Sequence, residues 1–159
     1  MKAKSWQLWL CRIKRFVSLA FGPRVVWGWV DCEGEWRPNS RVSNCTAFYS
    51  RTKLYVEDHV FIGHFTVIDA SRDLSIEEGC QISAYTGIFT HSSHAAIRLY
   101  GRSYAHSPHK KAYFAAPVSI GAFSYIGAHS TVMPGTKIGR GSIVRAYSLV
   151  KGEFPDFAI

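Results

Sequence analysis

Four of the seven histidines in this chain fall between positions 91 and 109: His91, His94, His106 and His109. An unperturbed imidazole titrates near pH ~6.5, so at neutral pH it can accept a proton from a hydroxyl or ligate a metal. The pairs His91/His94 and His106/His109 have HxxH spacing. No cysteine or carboxylate accompanies them in this stretch, and a structural zinc site needs four ligands. Proton transfer is therefore the stronger reading, and no metal is expected. Tyr100, Tyr104, Tyr113 and Phe114 share the stretch. A long, aromatic-rich connection inside a compact chain reads as an ordered arm that forms part of a site.

The elements that position these residues show in the flanking sequence. Ile120, Ile126, Val132, Ile138, Val144 and Val150 are spaced six apart without a break. Four residues after the first five of these stand Ser124, Ser130, Thr136, Ser142 and Ser148, and Gly121, Gly127 and Gly139 follow their aliphatic residues directly. Val56, Ile62 and Ile68 keep the same step; Ile76, Ile82 and Ile88 resume it after a two-residue slip. Val30, Trp36, Val42, Phe48 and Leu54 extend it more loosely. A helix requires apolar residues at three- and four-residue steps, which these segments lack. The spacing predicts a parallel β-helix in which each six-residue unit is a short strand plus a turn. The aliphatic side chain points inward, the small Ser or Thr turns the corner, and each coil buries its face on its neighbours. The ladder stops after Ile88 and resumes at Val118, so residues 92–117 form a loop on one corner.

With an aliphatic residue, often Gly, two variable positions and a small residue, the repeat resembles the left-handed β-helix acyltransferases. The resemblance sharpens at TVIDASRDLSIEEGCQISAYTGIFTHSSH and at PVSIGAFSYIGAHSTVMPGTKIGRGSIVRAYSLVKGEFP, which are similar to the galactoside, maltose and polysaccharide O-acetyltransferase branch. Its landmarks stand at Pro117, Ile120-Gly121, Tyr125-Ile126-Gly127 and Pro134-Gly135-Thr136-Lys137-Ile138-Gly139. The resemblance implies a left-handed coil, acetyl-CoA as acyl donor, a saccharide or glycolipid acceptor, a homotrimer, and a histidine base beside the loop. The paired-histidine signature of the γ-class carbonic anhydrases, which share the solenoid, is missing.

Relatives place the base eleven residues after the position matched by Ile82, which is Ser93 here. His94 is one position late and His91 two early. His94 is the nearer match, His91 remains an alternative, and one could fix the tautomer of the other. The resemblance also assigns acceptor contacts to Asp69 and Tyr113, with Tyr85 where relatives carry a small polar residue. It assigns coenzyme contacts to Tyr125, Ala128, Ala146 and Lys151. N-acetylation of an amino sugar, or a non-catalytic scaffold, are the competing readings.

Residues 1–24 read as a separate element before a β-helix domain spanning 25–159. Trp6, Trp9, Leu10, Ile13, Phe16, Val17 and Ala20 mark one face of a helix over 5–21, ended by Gly22-Pro23. Lys2, Lys4, Arg12, Lys14, Arg15 and Arg24 accompany it without an acid. Such a helix either lies on a membrane surface or caps the open end of the solenoid. The whole chain carries 19 Lys and Arg against 11 Asp and Glu, a net charge of +8. Its length of 159 residues fits one domain. With 47% hydrophobic and 19% charged residues, disorder is excluded. No nucleic-acid motif accompanies the basic charge, and no stretch is apolar enough for a transmembrane helix. Cys11, Cys32, Cys45 and Cys80 are scattered without a CxxC pair. They read as small buried hydrophobes in a reducing, cytoplasmic setting, with peripheral contact at the inner membrane face as an option.

Overall fold

A computed structural model describes residues 4–20 and 22–159 of the chain, with the backbone alone at 18 and 19. Lys2 and position 21 of the expected N-terminal segment lie outside the described residues. Three parallel faces form a left-handed β-helix. The first face stacks Trp36–Ser43, Phe61–Ile62, Gln81–Ile82, Tyr125–Ile126 and Ile143–Val144. The second stacks Ala47–Tyr49, Val67–Asp69, Gly87–Phe89, Thr131–Val132 and Leu149–Val150. The third stacks Leu54–Val56, Leu74–Ile76, Val118–Ile120, Lys137–Ile138 and Glu153–Phe154.

The aliphatic ladder is the core. Val42 sits beside Ile62, Ile62 beside Ile82, Ile82 beside Ile126, and Ile126 beside Val144. Ile62, Ile82 and Ile126 are fully buried, as are Ile68, Ile88 and Val132 on the second face. Burying such a side chain contributes about 1.5–3 kcal/mol, and the six-residue step repeats that contribution on every face. The small corner residues do more than fit. Ser124 Oγ donates to Gly139 O at 2.9 Å and Ser130 Oγ to Arg145 O at 2.8 Å, each one coil further on. These hydroxyls bond backbone groups that the bend takes out of the strand ladder.

Residues 25–36 depart from the expected ladder. Val25–Val30 runs antiparallel to Trp36–Ser43, with Val30 opposite Trp36. Gly34 at φ 81° makes the reversal, and the Asp31 carboxylate holds it by accepting from Glu33 N and Glu35 N and pairing with Arg37 at 2.8 Å. The six-residue step from Val30 to Trp36 is a hairpin coincidence, and the parallel ladder starts at Val42.

Helix α1 spans Ser5–Leu19. It rests on the chain through half-buried Gln7, Cys11 and Arg15, and Arg15 Nη2 donates to Thr46 O at 3.0 Å. Its apolar stripe points the other way: Trp6, Trp9, Phe16 and Val17 are exposed. No described helix is long and apolar enough to cross a membrane. Of the cysteines only Cys80 is buried, its thiol pushed up to about 11 by burial; the other three are half-buried.

Candidate active site

The two-residue slip in the repeat is the site's first structural cause. On the first-to-second face step, Ile62 and Ile68 are six apart; from the second to the third, Ile68 and Ile76 are eight apart. The extra residues widen the corner Asp69-Ala70-Ser71-Arg72-Asp73. In the last coils the same corner is the tight turn Met133-Pro134-Gly135-Thr136 between Val132 and Ile138.

One coil beyond Asp69, the chain leaves the solenoid through His91–Ser92, which pairs antiparallel with Phe114–Ala115. Between these strands lie helix α2 (His94–Tyr100) and a 3-10 turn over Gly101–His106, so the expected loop has its own architecture. The ribbon sets His91 directly over the widened corner. His91 Nδ1 lies 2.6 Å from Asp69 Oδ2. Asp69 is buried, with 3% of its side chain exposed, while the His91 side chain is 37% exposed.

Asp69 is a saturated acceptor. Oδ2 also receives Thr90 N at 3.1 Å, with Thr90 Oγ1 at 3.0 Å and Ser71 Oγ at 3.2 Å, and Oδ1 receives Ser71 N at 3.2 Å. Burial alone pulls the carboxyl upward. The hydrogen bonds from His91 and Thr90, with the attraction of His91, outweigh it and leave the carboxyl below its ordinary value. An ionised carboxylate only accepts, so His91 Nδ1 carries the hydrogen and Nε2 keeps its lone pair. Tyr113 stacks on the imidazole at 5.6 Å and 17°. A fixed tautomer with an outward lone pair can take a proton from a hydroxyl.

The residues expected from sequence separate into groups. Asp69, His91 and Tyr113 come together. Asp69 is too buried and too fully bonded to reach an acceptor, so its place is behind the histidine. His94 opens α2, exposed, with Ser92 Oγ 2.6 Å from its Nδ1 and no carboxylate paired with it among the described residues. His91 and His94 share a groove of about 340 Å³ with Phe89, Thr131 and Met133. Tyr85 stands on the opposite corner, stacked on His129 at 4.7 Å. Tyr125 lies on the first face, where its hydroxyl accepts from Ser83 Oγ at 3.0 Å. Ala128 and Ala146 occupy the same corner on successive coils, joined through Tyr147 N to Ala128 O at 2.9 Å. Lys151 belongs to another corner, with Nζ 5.7 Å from the Phe114 ring. Ser71 and Thr90 were not singled out from sequence; the slip between Ile68 and Ile76 is the signal that marks their corner.

Residues 112–152 match the family model "Bacterial transferase hexapeptide (six repeats)". The acetyltransferase candidate YJL218W of Saccharomyces cerevisiae is 29% identical over 107 residues, 66% of this chain and 50% of that protein. The acetyltransferase candidate Rv3034c of Mycobacterium tuberculosis is 41% identical over 44 residues, 28% of this chain and 15% of that protein. The chain thus spans at most half the length of these relatives. Among solved structures, AntD, an N-acyltransferase from Bacillus cereus in complex with dTDP and 3-hydroxybutyryl-CoA, superposes with a TM-score of 0.54 at 19% identity, covering 74% of this chain and 72% of that one. A single-residue mutant of AntD with dTDP and coenzyme A gives 0.58 at 18% identity, over 74% and 73% of the two chains. Residues 112–152 thus carry the bacterial transferase hexapeptide repeat, and the chain shares the left-handed β-helix fold of AntD.

Proposed function

We propose that this chain is an acetyl-CoA-dependent O-acetyltransferase acting on a saccharide hydroxyl, with His91 as general base and Asp69 as the residue that orients it. The 2.6 Å contact between Asp69 and His91 Nδ1 carries this reading, because it leaves Nε2 free to accept. The acceptor oxygen attacks the thioester carbonyl carbon and its proton passes to His91 Nε2. The C–S bond then breaks, and coenzyme A leaves as the thiol with the proton returned by His91. The step needs no metal. The similarity to acetyltransferase candidates and to an N-acyltransferase crystallised with a coenzyme A thioester supports the donor class. His94 is the second candidate base; it lacks the buried carboxylate that would set its tautomer.

The coenzyme is proposed to follow the wall of Tyr125, Ala128 and Ala146, where small corner side chains permit close approach, with Lys151 available to its phosphates. A homotrimer would complete that groove. Exposed Ile143 and Leu149 on the same coils supply apolar surface for it. The outward apolar stripe of α1, flanked by Lys4, Arg12 and Lys14, fits a helix lying on an anionic membrane surface better than a cap over the solenoid. This would place the protein peripherally on the cytoplasmic side of a membrane.

The deciding experiment measures acetyl-CoA binding by calorimetry and thiol release with a panel of saccharides. Turnover that collapses in His91→Ala is expected. No coenzyme binding at millimolar concentration would leave a scaffold instead. Light scattering at a trimer mass, and salt-sensitive sedimentation with anionic vesicles, are the expected results for assembly and membrane contact.

A further inference from the structure

Helix α1 and the hairpin that opens the solenoid enclose a cavity of about 250 Å³. Arg12 and Arg15 of the helix line it together with Arg51 from the first coil and the ring of Trp29. None of the described residues lining it is acidic, and none is a lysine. Three guanidinium groups sharing one space repel each other, and an anion placed among them relieves that repulsion. Partial burial, and then Arg15 and Arg12, lower the Arg51 guanidinium from its ordinary value, so the three groups sense one another.

The walls hold these groups in place. The Arg51 guanidinium lies 4.2 Å from the Trp29 ring centre and 5.3 Å from that of Phe48, and the two rings are 4.9 Å apart. Arg15 lies 5.2 Å from the same Phe48 ring and donates from Nη2 to Thr46 O at 3.0 Å. Aromatic faces attract a cation without neutralising it, so the cavity stays positive. Arg12 lines the cavity and is itself exposed. It follows Trp9 by three residues and precedes Phe16 by four, which makes it a surface neighbour of both on the helix. Both of those rings are exposed. With the apolar stripe of α1 laid into a membrane surface, Arg12 and the cavity beside it reach the layer of lipid headgroups.

We propose that this cavity binds the phosphomonoester headgroup of a lipid, held by Arg12, Arg15 and Arg51 while Trp9 and Phe16 enter the acyl boundary. This rests on the membrane-surface reading above and adds a specific site to it. A phosphomonoester carries about −1.5 to −2 charges at neutral pH and presents three acceptor oxygens, which suits three guanidinium forks. A phosphodiester carries a single charge and leaves more of the repulsion in place. Diffuse attraction to an anionic surface is served equally by lysine, the more strongly hydrated cation. A partly enclosed set made of arginines alone favours a phosphate bound by its geometry.

The test compares vesicles of matched surface charge. Sedimentation of the full chain is measured with phosphatidylcholine vesicles containing either phosphatidate, a phosphomonoester lipid, or phosphatidylglycerol, a phosphodiester lipid, adjusted to the same zeta potential. Calorimetry with glycerol 3-phosphate and with inorganic phosphate reads a soluble source. The expectation is an affinity about tenfold or more higher for the phosphatidate vesicles, the effect of one charge-assisted bond. Arg12→Gln and Arg51→Lys should each bring that ratio close to one. Arg51→Lys keeps the charge and loses the fork, and Arg12→Gln alters an exposed side chain, so the site is tested in a folded chain. Lys14→Gln removes a charge from the other flank of α1, beside Arg24. It should weaken binding to both vesicles alike and leave the ratio unchanged. Equal affinity of the wild-type chain for the two vesicles overturns the inference and leaves the membrane-surface reading standing, as does a ratio that neither arginine variant moves. Arginine-dependent binding of glycerol 3-phosphate without vesicle binding makes the source a free phosphate ester and overturns the lipid assignment. No binding to any of the four probes overturns the site and the membrane-surface reading together.

Discussion

Two corners of the same solenoid solve the bend by opposite means. Between the first and second faces, the four coils after the first each turn through a residue in the left-handed region: Phe65, Tyr85, His129 and Tyr147, all with φ between 56° and 60°. Such angles are uncommon for side-chain-bearing residues. Here their rings stack on one another coil after coil, at 5.2, 4.7 and 4.7 Å. Between the second and third faces, the corner of Asp69 and Ser71 is wider and is held by hydrogen bonds made once, to Thr90 and His91. The repeated corner is a structural column. The singular one concentrates a buried carboxylate and an imidazole. Regularity serves stacking, and chemistry enters where the repeat is broken.

The comparison breaks most severely at His91. His91→Ala is expected to lower turnover by about 10² to 10⁴, the scale of general-base catalysis, and His94→Ala by much less. Asp69→Asn should fall near His91→Ala, because an amide no longer enforces the productive tautomer. Initial rates of thiol release decide it, and the reverse order of the two histidines would move the base onto α2.

The repeated corner should fail by unfolding instead. A Cβ on Gly127 would lie 2.4 Å from Ala146 N on the next coil. Backbone atoms there cannot move aside without shifting the coil, so Gly127→Ala is expected to cost about 1–3 kcal/mol in denaturant titrations, an overpacking penalty. Midpoints equal to wild type would show that the coils are not in that contact.

A smaller effect separates the corners by acid. The Asp69 carboxyl is depressed in the folded state, so it stabilises the fold above its unfolded value and that stability is lost as pH falls through the lower folded value. The expected loss therefore begins below the ordinary 3.8. Asp69→Asn should flatten that part of the stability–pH curve, whereas Tyr85→Phe in the ring column should leave its slope unchanged. The smallest effect belongs to Tyr147→Ala at the exposed end of the column, about 0.5 kcal/mol or less, since it has one stacking neighbour and an open outer face.

Much of this was legible in the sequence for one physical reason. A buried ladder needs an aliphatic residue at every sixth position, and a close coil-to-coil approach needs Gly or a small hydroxyl residue, so Ile82, Ile126, Gly127 and Ser130 announce themselves by spacing. Hydrogen bonds across coils leave no such period. Asp69 and His91 are distant in sequence, and only the stacking of one coil on the next brings them into contact. The antiparallel hairpin over 25–36 kept a six-residue step by coincidence, because a strand's two-residue alternation also places like residues at even intervals.

The sequence by itself determined the solenoid, the position of its interruption and the amphipathic helix at its start, because each follows from a local period. Only the tertiary structure decided which histidine has a buried carboxylate behind it, which way α1 turns its tryptophans, and that Arg12 and Arg15 of α1 line one cavity with Arg51. Those are relations between segments, set by the rotation of one coil on another and by where a two-residue slip widens a corner.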